Sequence, residues 1–148
     1  MIEIKEMAAD SVAICAELYR GSYKNEPWNE EYSVAEITDY LFRFLNSKTK
    51  RAYMLVVDGE IIGVALGLIV PFVGSDYFRL EDICLSPQHQ RSGFGSEFIK
   101  LISDRISFEN CDSILLSTQR GYPAHHFYLK NGFTEIDSIL LYKQIKKQ

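Results

Sequence analysis

Nowhere in its 148 residues does the chain carry an apolar run approaching the ~18 that a membrane-crossing helix requires. Its first residues, Met1-Ile2-Glu3-Ile4-Lys5, alternate apolar and charged, unlike the basic-then-apolar layout of a secretion signal, and the expectation is a cytoplasmic protein. Cysteine is scarce. Cys15, Cys84 and Cys111 are odd in number and far apart, so they form neither a metal-ligand spacing nor a disulfide framework, and they read as core thiols. Clustered basic residues are also lacking. Sixteen Lys and Arg stand against twenty Asp and Glu, a net charge of −4 that argues against nucleic acid or an anionic membrane as partner and suits a cationic small molecule. No repeat, low-complexity tract or Pro/Gly/Ser-rich linker breaks the chain, and a single domain over residues 1–148 is expected. What is present, 47% hydrophobic and 24% charged residues, is ordinary for a globular domain with its own core.

Hydrophobic periodicity divides the chain. Residues 2–5 read as a short strand. Val12, Cys15, Ala16 and Tyr19 recur at helical spacing. A polar, aromatic stretch from Gly21 to Glu31 follows, after which Ser33-Val34-Ala35-Glu36 has the form of a capping box opening a second helix with Ile37, Leu41, Phe44 and Leu45 on one stripe. Residues 52–57 and 61–70 are apolar runs around Asp58-Gly59, a hairpin signal. Residues 77–85 form another strand candidate, ended by Ser86-Pro87. A long helix is expected from about Gly93 to Phe108, a buried strand over 113–117, and a helix opened by Pro123 and closed by Asn131-Gly132. The tail from Phe133, with Ile139, Leu141 and Ile145, reads as one or two further strands. This order implies a mixed α/β fold with helices on both faces of the sheet.

The sharpest local signal is Gln90-Arg91-Ser92-Gly93-Phe94-Gly95, between a strand and the long helix. A glycine-rich turn entering a helix presents free N–H groups and the positive end of the helix dipole, which suits a phosphate or diphosphate. The Walker form needs Gly-Lys-Ser/Thr, and it is absent. A dinucleotide fingerprint needs a small residue where Phe98 stands, and an acid at the end of the next strand, whereas Asp112 lies at its beginning.

The spacing Q/R-x-x-G-x-G/A, preceded by a strand ending in Ser-Pro, resembles motif A of the GNAT family of N-acetyltransferases. Downstream, Pro123-Ala124-His125-His126-Phe127-Tyr128-Leu129-Lys130-Asn131-Gly132-Phe133 resembles that family's A-x-x-F-Y-x-x-x-G-F segment. The element order is similar too, so the resemblance covers nearly the whole chain. It implies a mixed, mostly antiparallel sheet of about seven strands with four helices, the fourth and fifth strands splayed apart. The co-substrate it implies is acetyl-CoA. The pantetheine arm would meet backbone groups of Ile83, Cys84 and Leu85, and the amides of Arg91, Ser92, Gly93, Phe94, Gly95 and Ser96 would hold the diphosphate. The Leu85 amide would polarise the thioester carbonyl. Many relatives carry Asn seven residues before the tyrosine, where this chain has Gly121.

An alkyl ammonium of pKa ~10.4 must lose a proton before it can attack, at a cost near pH 7 of about 4–5 kcal/mol. A proton acceptor is therefore required. Glu81 and Asp82 lie where relatives carry catalytic or substrate-orienting carboxylates. Strand alternation would send only one of them to the substrate, and Glu81, which shares its parity with Ile83 and Leu85, is the catalytic candidate. Asp82 would then be structural, or would meet the ammonium if a bulge reorients it. Tyr128 matches the family's general acid, which returns a proton to the departing thiolate. The adjacent His125 and His126 diverge on a helix and form no metal pair, and no metal is expected. In the family the segment between the first two helices closes over the acceptor. Trp28 and Tyr32, with Tyr23 nearby and Glu26, Glu30 and Glu31 supplying charge, are the substrate-recognition candidates.

The expected reaction is acetyl transfer to a primary amine of a small cationic molecule, polyamine- or aminoglycoside-like, by direct attack in a ternary complex. A protein or peptide amino group is the alternative acceptor, and a non-catalytic acyl-CoA-binding module the alternative class. The resemblance also admits a homodimer through sheet edges.

Overall fold

The change of period in the middle of the chain becomes a curled sheet in the computed structural model, which describes residues 1–25 and 27–147. Two compact units emerge, Met1–Ser117 and Thr118–Gln148. The first holds five strands, β1 (Ile2–Glu6), β2 (Lys50–Val57), β3 (Glu60–Val70), β4 (Asp76–Leu85) and β5 (Cys111–Leu115), in that spatial order. Neighbours from β1 to β4 run antiparallel, and β4 and β5 run parallel. Asp58-Gly59, both at positive φ, makes the tight turn between β2 and β3.

Helices α1 (Val12–Lys24) and α2 (Val34–Phe42) cover one face of the sheet, and α3 (Phe94–Ser107) covers the other. The capping box closes as expected. The Ser33 hydroxyl accepts from the Glu36 amide at 3.1 Å, and the Glu36 carboxylate accepts from the Ser33 amide at 2.9 Å. On the α1–α2 face, Val12, Cys15, Ile37 and Leu41 bury against Met54, Val64, Leu66 and Cys84. On the α3 face, Tyr53, Phe78, Phe98 and Ile102 are fully buried. All three cysteines are free and buried, as core thiols should be.

The second unit contains α4 (Pro123–Lys130), with proline in its first turn. It ends in a Schellman motif. Gly132, at φ 90°, donates its amide to Leu129, and Phe133 donates to Tyr128. The strands expected after Phe133 do not form among the described residues, so the sheet has five strands rather than about seven. A strand exists only through a partner's hydrogen bonds, and apolar residues alone do not supply one. Ile139, Leu141 and Ile145 accordingly stay exposed. No helix among the described residues is long and apolar enough to cross a membrane.

Candidate active site

The centre of the site is a fault in β4. Asp82 pairs with Leu66 of β3 and Leu80 with the adjacent Gly67, so Glu81 is an extra residue, a β-bulge. A bulge breaks strict alternation. A Cβ placed on Gly67 would meet Phe78, and one on Gly63 would meet both Leu85 and Phe98 of α3. Phe78 before the bulge and Leu85 after it thus share the α3 face despite their opposite parity. Asp82 and Cys84 turn instead to α1 and α2. The expectation that alternation sends Glu81 and Asp82 to opposite faces is overturned by that one inserted residue. Glu81 is half-exposed and pairs with Arg79 at 3.0 Å, while its charge is felt at both Tyr40 and Asp82.

Asp82 has a different setting. Tyr23 of α1 donates its hydroxyl to Oδ1 at 3.1 Å, and Tyr40 of α2 donates to Oδ2 at 2.5 Å. The Tyr19 ring packs beside both of these phenols, and the charge of Asp82 is felt at its hydroxyl. Burial raises the Asp82 pKa, partly opposed by the hydroxyls of Tyr40, Tyr23 and Tyr19, with the neighbouring charge of Glu81 adding to the rise. The three phenols are in turn pushed well above the ordinary tyrosine value, chiefly by burial and then by nearby charge, that of Asp82 included. Rings continue outward from this centre. Tyr19 lies 4.6 Å from Tyr23 and 6.0 Å from Tyr40, Tyr23 lies 5.6 Å from Trp28, and Tyr40 lies 5.3 Å from Phe44, centroid to centroid. Among the described residues, no Lys, Arg or His comes within ion-pair distance of Asp82.

The second feature is an open seam. Parallel pairing between β4 and β5 stops at Arg79 and Leu115, while β4 continues to Leu85. Ile83, Cys84 and Leu85 therefore lie on a stretch of β4 that β5 does not bond. Ser86 donates its amide to Ile62 at 2.8 Å, on the β3 side, so the preceding amide of Leu85 faces the seam. The glycine turn follows. Ser86 Oγ and His89 Nδ1 are 2.6 Å apart, Gln90 Nε2 donates to the Leu85 carbonyl at 3.2 Å, and Ser92 Oγ donates to the His89 carbonyl at 2.8 Å. These bonds brace the turn from beneath. Arg91 at φ 62° and Gly93 at φ 86° take left-handed conformations, and a side chain on Gly93 would project into open space. Among the described residues, none of the amides from Arg91 to Ser96 donates to a protein group. Six unpaired donors at a helix N-terminus fit a diphosphate.

The remaining candidates are dispersed. Trp28 is half-buried against Tyr23, whereas Tyr32 is exposed and feels the nearby charge of Glu30. Glu26 lies outside the described residues. In the second unit, Tyr128 packs between the rings of Phe127 and Phe133, both at 5.3 Å. Gly121, at φ 83°, donates its amide to His125 Nδ1 at 3.0 Å, and His126 points outward. Sequence reasoning passed over Tyr19 and Tyr40 at the centre of the cluster. The spacing of Tyr19 and Tyr23, one helical turn apart, was the available signal for a shared face.

An opened parallel seam beside a nest of main-chain donors offers room for an extended ligand and donors suited to a diphosphate. The chain belongs to the acetyltransferase (GNAT) family, whose sequence profile matches residues 13–133. It is an acetyl-CoA-dependent N-acetyltransferase. Solved structures share the fold at low identity. A possible acetyltransferase from Clostridium difficile 630 superposes with a TM-score of 0.86 at 14% identity, over 99% of both chains. An aminoglycoside antibiotic 6'-N-acetyltransferase from Acinetobacter haemolyticus gives 0.77 at 18%, over 98% of this chain and 99% of the other. A ribosomal-protein-alanine N-acetyltransferase from Brucella melitensis gives 0.76 at 14%, over 97% and 100%. No curated protein matches by sequence.

Proposed function

We propose that the enzyme transfers acetyl from acetyl-CoA to a primary amine of a small cationic molecule, by direct attack in a ternary complex. The observation that carries this reading is the Asp82 carboxyl, part-buried among tyrosine hydroxyls with no cationic side chain beside it among the described residues. A charge withdrawn from water without a counter-ion is costly, and an ammonium ligand would supply that counter-ion. Aromatic walls favour the same guest. The aminoglycoside acetyltransferases among the structural neighbours support a small polyamine-like or aminoglycoside-like acceptor.

In this reading the amides of Arg91 through Ser96 bind the diphosphate, and the backbone of Ile83 to Leu85 lines the acyl arm. The Leu85 amide donates to the thioester oxygen as it gains charge. The Glu81–Asp82 pair receives the ammonium and takes its proton, while Trp28 and Tyr32 shape the acceptor's approach. The amine lone pair bonds to the carbonyl carbon, the C–S bond breaks, and Tyr128 supplies a proton to the leaving thiolate while the second N–H proton of the amine restores the phenol. A phenol at pKa ~10 is a weaker acid than a thiol at ~8.5, so the help from Tyr128 should be modest.

The ribosomal-protein-alanine acetyltransferase among the neighbours keeps a peptide amino group as the second reading. Thiol release from acetyl-CoA, measured with polyamines, aminoglycosides and N-terminal peptides, decides between them. Turnover confined to peptides would sink the small-amine reading. In Tyr128→Phe, turnover should fall about 10-fold to 100-fold with acetyl-CoA binding intact.

A further inference from the structure

The bulge gives the site two neighbouring carboxylates in unlike surroundings. Glu81 sits at the solvent edge with its charge offset by Arg79 at 3.0 Å. Asp82 lies inward, one phenol on each oxygen, beneath the rings of Tyr19, Tyr23 and Tyr40. A carboxylate offers about four lone-pair sites, and Tyr23 and Tyr40 take one on each oxygen, which leaves one site on each for a further donor. We propose that Asp82 is the proton acceptor for the amine, and that Tyr23 and Tyr40 are positioning residues which clamp it so that its remaining acceptor sites meet the ammonium. Glu81 then serves at the mouth, drawing the cation inward. This rests on the small-amine reading above and deepens it.

The chemistry follows from where the clamp sits. An ammonium and a carboxylate brought together out of water both lose hydration, which narrows the gap between their proton affinities. Burial already favours the protonated form of Asp82. Transfer of one ammonium proton to Asp82 yields a neutral amine beside a neutral acid. A clamping hydroxyl rotates to accept from the new O–H, because a phenol both donates and accepts. The amine then forms its C–N bond, the second N–H proton accompanies the leaving thiolate, and the Asp82 proton returns to solvent between turnovers. The groups facing Asp82 across the cluster are Tyr19 and Tyr23 from α1, Tyr40 from α2, and Glu81 and Cys84 from its own strand.

The test combines two readouts. In kcat/KM against pH for spermidine and kanamycin, at saturating acetyl-CoA, Tyr40→Phe should move the acidic limb upward by about half to one pH unit. The sign follows because the lost hydroxyl stabilised the ionised carboxylate. A merely structural role would lower the whole profile and leave the limb in place. Asp82→Asn should reduce kcat about 100-fold or more, whereas Glu81→Gln should act mainly on the amine KM. Calorimetry without acyl donor gives the second readout. Binding of the same amines should weaken about 10-fold or more in Asp82→Asn and less in Glu81→Gln. Amine binding that depends on Asp82, without turnover of any amine, would sink the functional reading yet support the clamp. An unmoved limb in Tyr40→Phe, or near-wild-type kcat in Asp82→Asn, overturns the proposal, as does failure of the wild type to bind either amine.

Discussion

Two carboxylates on opposite faces of the same sheet show how surroundings divide structure from chemistry. On the α3 side, Glu109 receives Arg51 Nη2 at 2.7 Å and Nε at 3.2 Å, with the Tyr53 hydroxyl at 3.4 Å. Arg51 in turn donates to the carbonyls of Ser47, Lys48 and Lys50, so this group fastens the start of β2 to the segment after α3. The guanidinium holds the Glu109 carboxyl below its ordinary value. On the α1–α2 side, Asp82 also meets phenols, but no cation, and its pKa moves the other way. Both acids use tyrosine. Only the one with its own arginine is complete as it stands.

Turnover should separate the pair most widely. Asp82→Asn is expected to cut kcat about 100-fold or more, while Glu109→Gln, a folding group, leaves kcat within about 3-fold. Equal losses in steady-state assays would erase the distinction. Stability should reverse the order. Arg51→Met strands the Glu109 carboxylate and should cost about 1–3 kcal/mol by urea unfolding, whereas Asp82→Asn removes a part-buried carboxyl with no cationic partner and should be near neutral or stabilising.

The pH dependence of stability sharpens the contrast further. The depressed pKa of Glu109 gives stability that is present above its unfolded value of about 4.3 and lost as pH falls through the folded value. The raised pKa of Asp82 works oppositely. Its contribution is fully present below the unfolded value of about 3.9 and is lost as pH rises through the folded value. Urea midpoints between pH 3 and 7 should therefore show Glu109→Gln lacking part of the acid-side loss. Asp82→Asn should lack the opposing gain on acidification. The smallest effect is expected at Glu81. Its exposed pair with Arg79 should contribute under about 0.5 kcal/mol, read as a barely shifted melting temperature in Glu81→Gln.

Much of the frame was legible beforehand, because the signals were local. Ser33 and Glu36 announced a helix start, Asp58-Gly59 a hairpin, Pro123 and Gly132 the two ends of α4, and each appears where those residues dictate. The glycine turn at Gly93 was equally readable, since a positive φ beside a helix N-terminus is a property of a few neighbouring residues. The tail was misread for the complementary reason. Its apolar residues were real, but pairing is a nonlocal event, and they could not show whether a strand edge would receive them.

Amino-acid order alone settled the family, the donor-rich turn and the presence of two acids near the end of β4. It could not settle which way those acids point. That was decided when β3 and β4 slipped by one residue at Glu81, turning Asp82 toward hydroxyls contributed from two separate helices. Tyr23 and Tyr40 stand far from Asp82 along the chain, and only the packed helices bring them to its two oxygens. Hydrogen-bond register and helix packing are cooperative properties of the whole sheet, so no local window of sequence contains them.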